Sequence, residues 1–236
     1  MRKDGRKADE LRKIYIKKRY QKYADGSCFI SFGDTKVLCA ATIQETVPPH
    51  LVGSGTGWVS AEYSFLPRAG KRRTSRQRSF SAGRTHEIQR LIGRSLRSSV
   101  DLSLLGERSV MIDCDVIQAD GGTRTTSING AFIAMSEAFK KMMKLKMINS
   151  FPVKDFIAAV SVGIVNGKPL LDLCESEDND AAVDMNIVMT GSGRFIEIQG
   201  TGEEYTFSDM QLRDLIALAK KGISKIVKIE KNAVKK

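Results

Sequence analysis

Apolar and polar positions alternate in short runs through the first quarter of the chain. Ser27 to Phe32 and Thr35 to Thr42 are two strand-like stretches parted by Gly33-Asp34, a dipeptide that favours a tight turn, so residues 27–42 are expected to form a hairpin. Trp58 to Phe65 reads as a further strand, with the flexible loop Gly53 to Gly57 before it. From Glu87 the period changes. Ile88, Leu91, Ile92, Leu96 and Val100 recur at steps of three and four, while Arg90, Arg94 and Arg97 fall on the other side, which predicts an amphipathic helix with a cationic face. Ser109 to Gln118 has the length and β-branched content of a strand. It runs into Ala119-Asp120-Gly121-Gly122-Thr123-Arg124-Thr125-Thr126, after which Ile128, Ala131, Phe132, Met135, Phe139 and Met142 mark a second helix.

Beyond a seam at Asn149 to Asp155, which contains Pro152, the pattern starts again. Ile157 to Val165 and Leu170 to Leu173 flank Asn166-Gly167, a strong hairpin signal. An acidic run follows, and then strands at Asp184 to Met189 and Arg194 to Gln199. Ser208 with Gln211 forms a capping box for a last helix expected to reach about Ala219, before a Lys-rich tail. Strands followed by a helix, twice over, predict an α+β protein of two similar halves. Residues 1–150 form one half and 151–236 the other, in one compact unit, although the residues themselves show no repeat.

Composition narrows the function. Hydrophobic residues make up 42% of the 236 positions and charged residues 28%, which excludes a disordered polycation. Lys and Arg number 38 against 27 acids, a net charge of +11 that points to phosphate-rich partners, nucleic acid first. The excess is local: Leu66 to Arg108 holds 11 basic and 3 acidic residues. Within it, Pro67 to Gly83 carries Arg68, Lys71, Arg72, Arg73, Arg76 and Arg78 without a periodic apolar face, and reads as a mobile basic loop. Cysteines 28, 39, 114 and 174 lack C-x-x-C spacing and have only His50 and His86 for company. Reduced thiols in a cytosolic protein are therefore expected, in place of a zinc site or disulfide framework. No secretory signal is read in Met1 to Lys22, and the longest apolar stretch, Phe156 to Gly167, is too short to span a bilayer.

The chemistry-bearing residues are few. Two histidines, neither in a nucleophile-elbow sequence, disfavour covalent catalysis, and Gly53-Ser54-Gly55-Thr56-Gly57 is neither a P-loop nor a dinucleotide fingerprint. The Gly121-Gly122-Thr123-Arg124 turn has two readings. It is a plain helix start, or it is an anion site in which backbone N–H groups, the Thr123 hydroxyl and the Arg124 fork converge at a helix N-terminus. Arg84, beside Gly83 at the first cationic helix, is either a second anion ligand or a solvated charge. Asp172, Glu175, Glu177, Asp178, Asp180 and Asp184 are uninterrupted by Lys or Arg. They form a solvated loop, or Asp178, Asp180 and Asp184 offer oxygens to Mg²⁺. Asp113 and Asp115 alternate about Cys114 and read as structural.

Taken together, the chain resembles the bacterial ribonuclease PH family over nearly its whole length. The resemblance rests on Asp4-Gly5-Arg6, Gly33 to Cys39, Gly57-Trp58 with Ala61-Glu62-Tyr63, Leu66-Pro67-Arg68, Gly83-Arg84-Thr85 with Glu87 to Ile92, and Asp113 to Thr126. In the second half it continues through Ala158 to Gly163, Glu177-Asp178, Asp184-Met185-Asn186 and Gln199-Gly200-Thr201. It implies two halves resembling the second domain of ribosomal protein S5, with mixed sheets packed against helices. It also implies a phosphate-dependent 3′→5′ exoribonuclease, a tRNA nucleotidyltransferase that trims tRNA precursors and other RNA 3′ ends and releases nucleoside diphosphates. By that resemblance Arg84, Gly122, Thr123 and Arg124 hold the attacking inorganic phosphate. Asp178 and Asp184 are the catalytic carboxylates and handle Mg²⁺ or Mn²⁺. Arg68, Arg73 and Arg76 bind tRNA, and the assembly is a cytoplasmic homo-hexamer built as a trimer of dimers, without a membrane partner. Two alternatives are a catalytically silent RNA-binding subunit of an exosome-like ring and a plain basic binding module. A silent subunit is expected to have lost at least one of Arg84, the Gly-Gly-Thr-Arg turn, Asp178 and Asp184, and all are present.

Overall fold

The structure is a computed structural model that describes residues 2–76, 83–202 and 206–235. Its first sheet is built from β1 (Ile14–Lys18), β2 (Gly26–Phe32), β3 (Thr35–Gln44), β4 (Trp58–Phe65) and β5 (Ser109–Gln118), in the order β1-β2-β3-β5-β4. The Gly33-Asp34 turn closes the expected hairpin, pairing Phe32 with Thr35 and Cys28 with Cys39. β4 runs parallel to β5, because helix α1 (Gly83–Ser98) lies in the crossover between them. The second sheet is antiparallel throughout, in the order β7-β6-β8-β9. It comprises β6 (Ile157–Val165), β7 (Lys168–Leu171), β8 (Ala181–Thr190) and β9 (Phe195–Gly202). The parallel pair that makes the fold mixed thus belongs to the first half alone.

Helix α2 (Thr123–Lys144) joins the halves. It is buried around almost its full circumference from Thr123 to Phe139, since it packs on β2 and β3 of one sheet and on β6 of the other. Asn129 exchanges two hydrogen bonds with the backbone of Ala159, at 2.9 and 2.8 Å, pinning the helix to β6. Phe132 and Phe139 are fully buried, so truncating either to Ala costs about 3–5 kcal/mol. One hydrophobic core therefore runs through both halves.

Three elements depart from the sequence reading. β1 lies in Met1 to Lys22, where the sequence reading places no strand; Ile14 and Ile16 turn inward while Tyr15 and Lys17 face out. Helix α1 starts at Gly83, ahead of its apolar period, with Arg84, His86 and Glu87 exposed in the first turns. The last helix, α4 (Asp209–Lys235), does not stop near Ala219. Ile223, Ile226, Val227 and Val234 continue its buried stripe, and the lysines between them form the wet face. The Ser208–Gln211 capping box is present, the Ser208 N–H donating to Gln211 Oε1 at 2.8 Å. All four cysteines are unpaired by disulfides, and Cys39 faces Cys114 across β3 and β5 with 3.8 Å between sulfurs. Among the described residues no helix is long and apolar enough to cross a membrane.

Candidate active site

The site is assembled where the two sheets meet at the start of α2. After β5 the chain reverses through Ala119 to Gly122, with Gly121 and Gly122 at φ +72° and +62°. A Cβ on Gly121 would sit 2.6 Å from the Leu173 carbonyl oxygen, so this turn requires glycine for space as well as for its left-handed backbone. Gly122 is the N-cap of α2, and the helix turns its free N–H groups and positive end toward whatever lies before it. The Tyr63 hydroxyl donates to Thr123 Oγ1 at 2.8 Å, fixing the first side chain of the helix. Burial pushes the Tyr63 hydroxyl up to about 12, even though the Thr123 bond and the charges of Arg84 and Arg124 pull the other way. Arg124 lies largely covered; its Nη1 donates to Gln199 Oε1 at 3.0 Å and stands 3.9 Å from Glu87.

The facing wall is acidic. Short helix α3 (Glu175–Asn179) carries Asp178, and period-two geometry on β8 places Asp184 and Asn186 on one face, with 3.4 Å from Asn186 Nδ2 to Asp184 Oδ2. Register pairs Asp184 with Thr201 and Asn186 with Gln199 of β9, which completes the wall. Helix α3 is held from behind by Arg2, whose Nε and Nη2 donate to the two oxygens of Glu177 at 2.7 and 2.6 Å. That pairing keeps the Glu177 carboxyl below its ordinary range in spite of its burial.

Between the walls lies a cleft of about 1220 Å³, lined by Arg84, Arg124, Asp178, Asp184, Asn186 and Gln199 among others. At its floor a pocket of about 120 Å³ is lined by Gly121, Gly122, Thr123, Arg124 and Arg84 on one side and by Asp178, Asp184 and Asn186 on the other. The structure thus brings together Arg84, Gly122, Thr123, Arg124, Asp178 and Asp184, which stand up to 100 positions apart in the chain. It does not bring Arg68, Arg73 and Arg76 there. These are exposed on the basic segment, and Arg68 Nη1 donates to the Lys71 carbonyl at 2.6 Å. The segment is tied back to the site by the Ala119 N–H donating to the Ala69 carbonyl and by a 2.7 Å ion pair between Lys71 and Glu175. The remainder of the expected basic loop, residues 77–82 with Arg78, lies outside the described residues.

Among the described residues no group of three or more His, Cys, Asp or Glu is gathered for a metal ion. The pocket offers two carboxylates, which suits Mg²⁺ or Mn²⁺ completing its shell with substrate phosphate and water better than a closed all-protein site. The linear pattern does not single out Tyr63, Glu87, Asn186 or Gln199 as site residues. Period two along β4 and β8, and the register of β8 with β9, are the signals that place Tyr63, Asn186 and Gln199, while Glu87 comes to the site on helix α1.

Comparison with known proteins agrees with this architecture. Residues 10–140 match the model of the 3′ exoribonuclease family, domain 1, and residues 155–222 match domain 2 of the same family. The chain is similar to the Ribonuclease PH of Solibacter usitatus (strain Ellin6076), 53% identical over 236 residues and covering 99% of each chain. It is likewise similar to the Ribonuclease PH of Bacillus cereus (strain G9842), 56% identical over 237 residues, covering 99% of this chain and 97% of that one. Among solved structures it superposes on the Archaeoglobus fulgidus exosome with RNA bound to the active site, with a TM-score of 0.82 at 22% identity over 96% of this chain and 91% of that one. Rice Rrp46 superposes with a TM-score of 0.80 at 18% identity, over 98% and 99%. At these identities the structural likeness speaks for the fold.

Proposed function

The chain belongs to the 3′ exoribonuclease family of ribonuclease PH, and we infer that it trims tRNA precursors and other RNA 3′ ends by phosphorolysis in the cleft described above. The observation that carries this reading is the floor pocket, where two arginines, a glycine turn at a helix start and two carboxylates surround a space suited to a tetrahedral anion. Inorganic phosphate attacks the terminal phosphorus and the bond from that phosphorus to the upstream 3′ oxygen breaks. A nucleoside diphosphate leaves, and the departing 3′ oxygen takes up the proton that hydrogen phosphate carried. The reverse reaction adds a nucleotide. Such chemistry needs no protein nucleophile, in keeping with a pocket whose described lining contains no histidine or cysteine. What it needs is that two mutually repelling anions be held in line and the growing charge be offset.

In this reading Arg84, Arg124, Thr123 and the Gly122 turn hold the attacking phosphate. Asp178 and Asp184 are the active-site carboxylates and hold Mg²⁺ or Mn²⁺, which when bound neutralises phosphoryl oxygens. Arg68, Arg73 and Arg76 engage the phosphates of the tRNA body, reading shape more than sequence. Six copies assemble as a trimer of dimers in the cytoplasm. The test is incubation of the purified protein with a 3′-extended, end-labelled tRNA and Mg²⁺, with and without inorganic phosphate, resolving the released nucleotides. Nucleoside diphosphates formed only with phosphate are the expected result. Monophosphates would mean a hydrolase, and tRNA binding without release would mean a silent RNA-binding subunit.

A further inference from the structure

Resting on the phosphorolytic reading, the structure assigns to Arg12, braced by Asp172 and Thr35, the positioning of the phosphate-binding turn. Arg12 is not among the residues that line the floor pocket. Its guanidinium is instead buried beneath the turn, the Nη1 donating to the Asp120 carbonyl at 2.5 Å and lying 3.4 Å from the Gly121 carbonyl. The Thr35 hydroxyl donates to the same Gly121 carbonyl at 2.6 Å and accepts from the Asp120 N–H at 3.0 Å. A trans peptide is planar, with its C=O and the next N–H pointing in opposite directions. Tying the carbonyls of 120 and 121 to Arg12 and Thr35 therefore turns the N–H groups of Gly121 and Gly122 the other way, to the side on which these residues line the pocket.

The charge has a second effect. A cation on a carbonyl oxygen polarises the peptide and makes its N–H a better donor to an anion. Asp172 makes a buried cation tolerable here. Its carboxylate accepts from Arg12 Nη2 at 2.6 Å, from Nε at 3.1 Å and from the Arg12 backbone N–H at 2.8 Å. Asp172 holds a left-handed backbone, φ +55°, just before the loop that leads to α3. One ion pair therefore links the phosphate turn to the segment that carries Asp178.

The experiment measures phosphorolysis by the full-length protein and by Arg12→Gln, Arg12→Lys and Thr35→Val, varying phosphate at saturating RNA and RNA at saturating phosphate. The phosphate concentration that half-saturates the rise in thermal midpoint gives a second readout, without turnover. Arg12→Gln is expected to raise the KM for phosphate and the half-saturating concentration about tenfold while leaving the KM for RNA within about twofold. Arg12→Lys recovers part of the loss, since an ammonium keeps the charge but reaches fewer acceptors, and Thr35→Val raises the phosphate KM about threefold. Glu137→Gln is the control. It breaks the ion pairs of the buried Glu137 with Lys18, Arg19 and Lys140, away from the turn, and should lower the midpoint with the phosphate KM unchanged. If Arg12→Gln does not fold, Arg12→Lys and Thr35→Val decide. A phosphate KM unmoved in the Arg12 and Thr35 variants, or phosphate and RNA constants rising together, overturns the assignment. A wild-type protein that shows no saturation by phosphate overturns the phosphorolytic reading, and this one with it.

Discussion

Replacing Tyr63 by Phe removes one oxygen from a ring that is 1% exposed and leaves the packing volume of β4 in place. The missing hydroxyl is the donor to Thr123 Oγ1 at 2.8 Å. With that oxygen occupied as an acceptor, the hydrogen of the Thr123 hydroxyl is left for another partner, and Thr123 lines the floor pocket. A neutral hydrogen bond contributes about 1 kcal/mol net, and a buried hydroxyl left without its partner loses about 1–3 kcal/mol. At about 1.4 kcal/mol per factor of ten, Tyr63→Phe is expected to raise the KM for phosphate about fivefold to tenfold and to leave kcat and the KM for RNA nearly unchanged. Because burial raises the hydroxyl to about 12, it stays a proton donor through the neutral range. The ratio of variant to wild-type KM should therefore be flat between about pH 6 and 9. The folded value lies above the ordinary 10.0, so wild-type stability relative to the variant is present below pH 10 and is lost as pH rises toward 12. Steady-state rates at saturating RNA across a phosphate series, repeated at three pH values, measure this. A variant that loses kcat at unchanged phosphate KM, or a ratio that drifts across the neutral range, would refute the hydroxyl's role in presenting Thr123.

Arg124→Ala, which deletes a cation from both the pocket and the cleft, should reduce phosphorolysis at least about a hundredfold while tRNA affinity in a filter-binding assay stays within a few-fold. Retained activity with ordinary phosphate dependence would remove Arg124 from the site. Neutralising Arg68, Arg73 and Arg76 together should weaken tRNA binding and flatten the slope of log affinity against log salt by about one unit for each RNA phosphate no longer engaged, with phosphate KM unmoved. Glu230 on α4 is fully buried, neither of its oxygens has a hydrogen-bond partner among the described residues, and burial drives its carboxyl well above 4.5. Burial favours the neutral carboxyl, so its stability contribution is intact below pH 4.5 and is lost as pH rises from there toward the folded value. Denaturation midpoints at fixed protein concentration should show Glu230→Gln gaining on wild type with rising pH above 4.5, by at most about 1.4 kcal/mol per pH unit, until the folded carboxyl itself ionises. A gain that does not depend on pH would mean the carboxyl is already ionised in place.

How far the site is legible in the chain depends on what each residue must do. The hairpin at Gly33-Asp34, the strands Trp58–Phe65 and Ser109–Gln118, and the capping box at Ser208 follow from local rules, and local patterns carry them. The tail of α4 is hidden because seven lysines from Lys220 to Lys236 mask an apolar stripe that only helical spacing exposes. Within the site, the residues assigned to the anion and the cation are Arg, Gly, Thr and Asp, and apart from Arg84 they cluster at 121–124 and 178–184, which is visible without a structure. Those that aim them show no such clustering. Arg12 meets Asp172 across 160 positions and Tyr63 meets Thr123 across 60, so neither pair leaves a local trace. In isolation Arg12 looks like one more charge in a basic arm and Tyr63 like one more core aromatic. The fold supplies the missing information by threading the N-terminal arm beneath the turn and wedging α2 between the sheets. The arginines that grip phosphate should therefore fail one at a time, each with its own bond to the anion. Loss of Arg12, in contrast, should disturb all the backbone donors of the turn together, because the groups it holds are carbonyls of the turn itself.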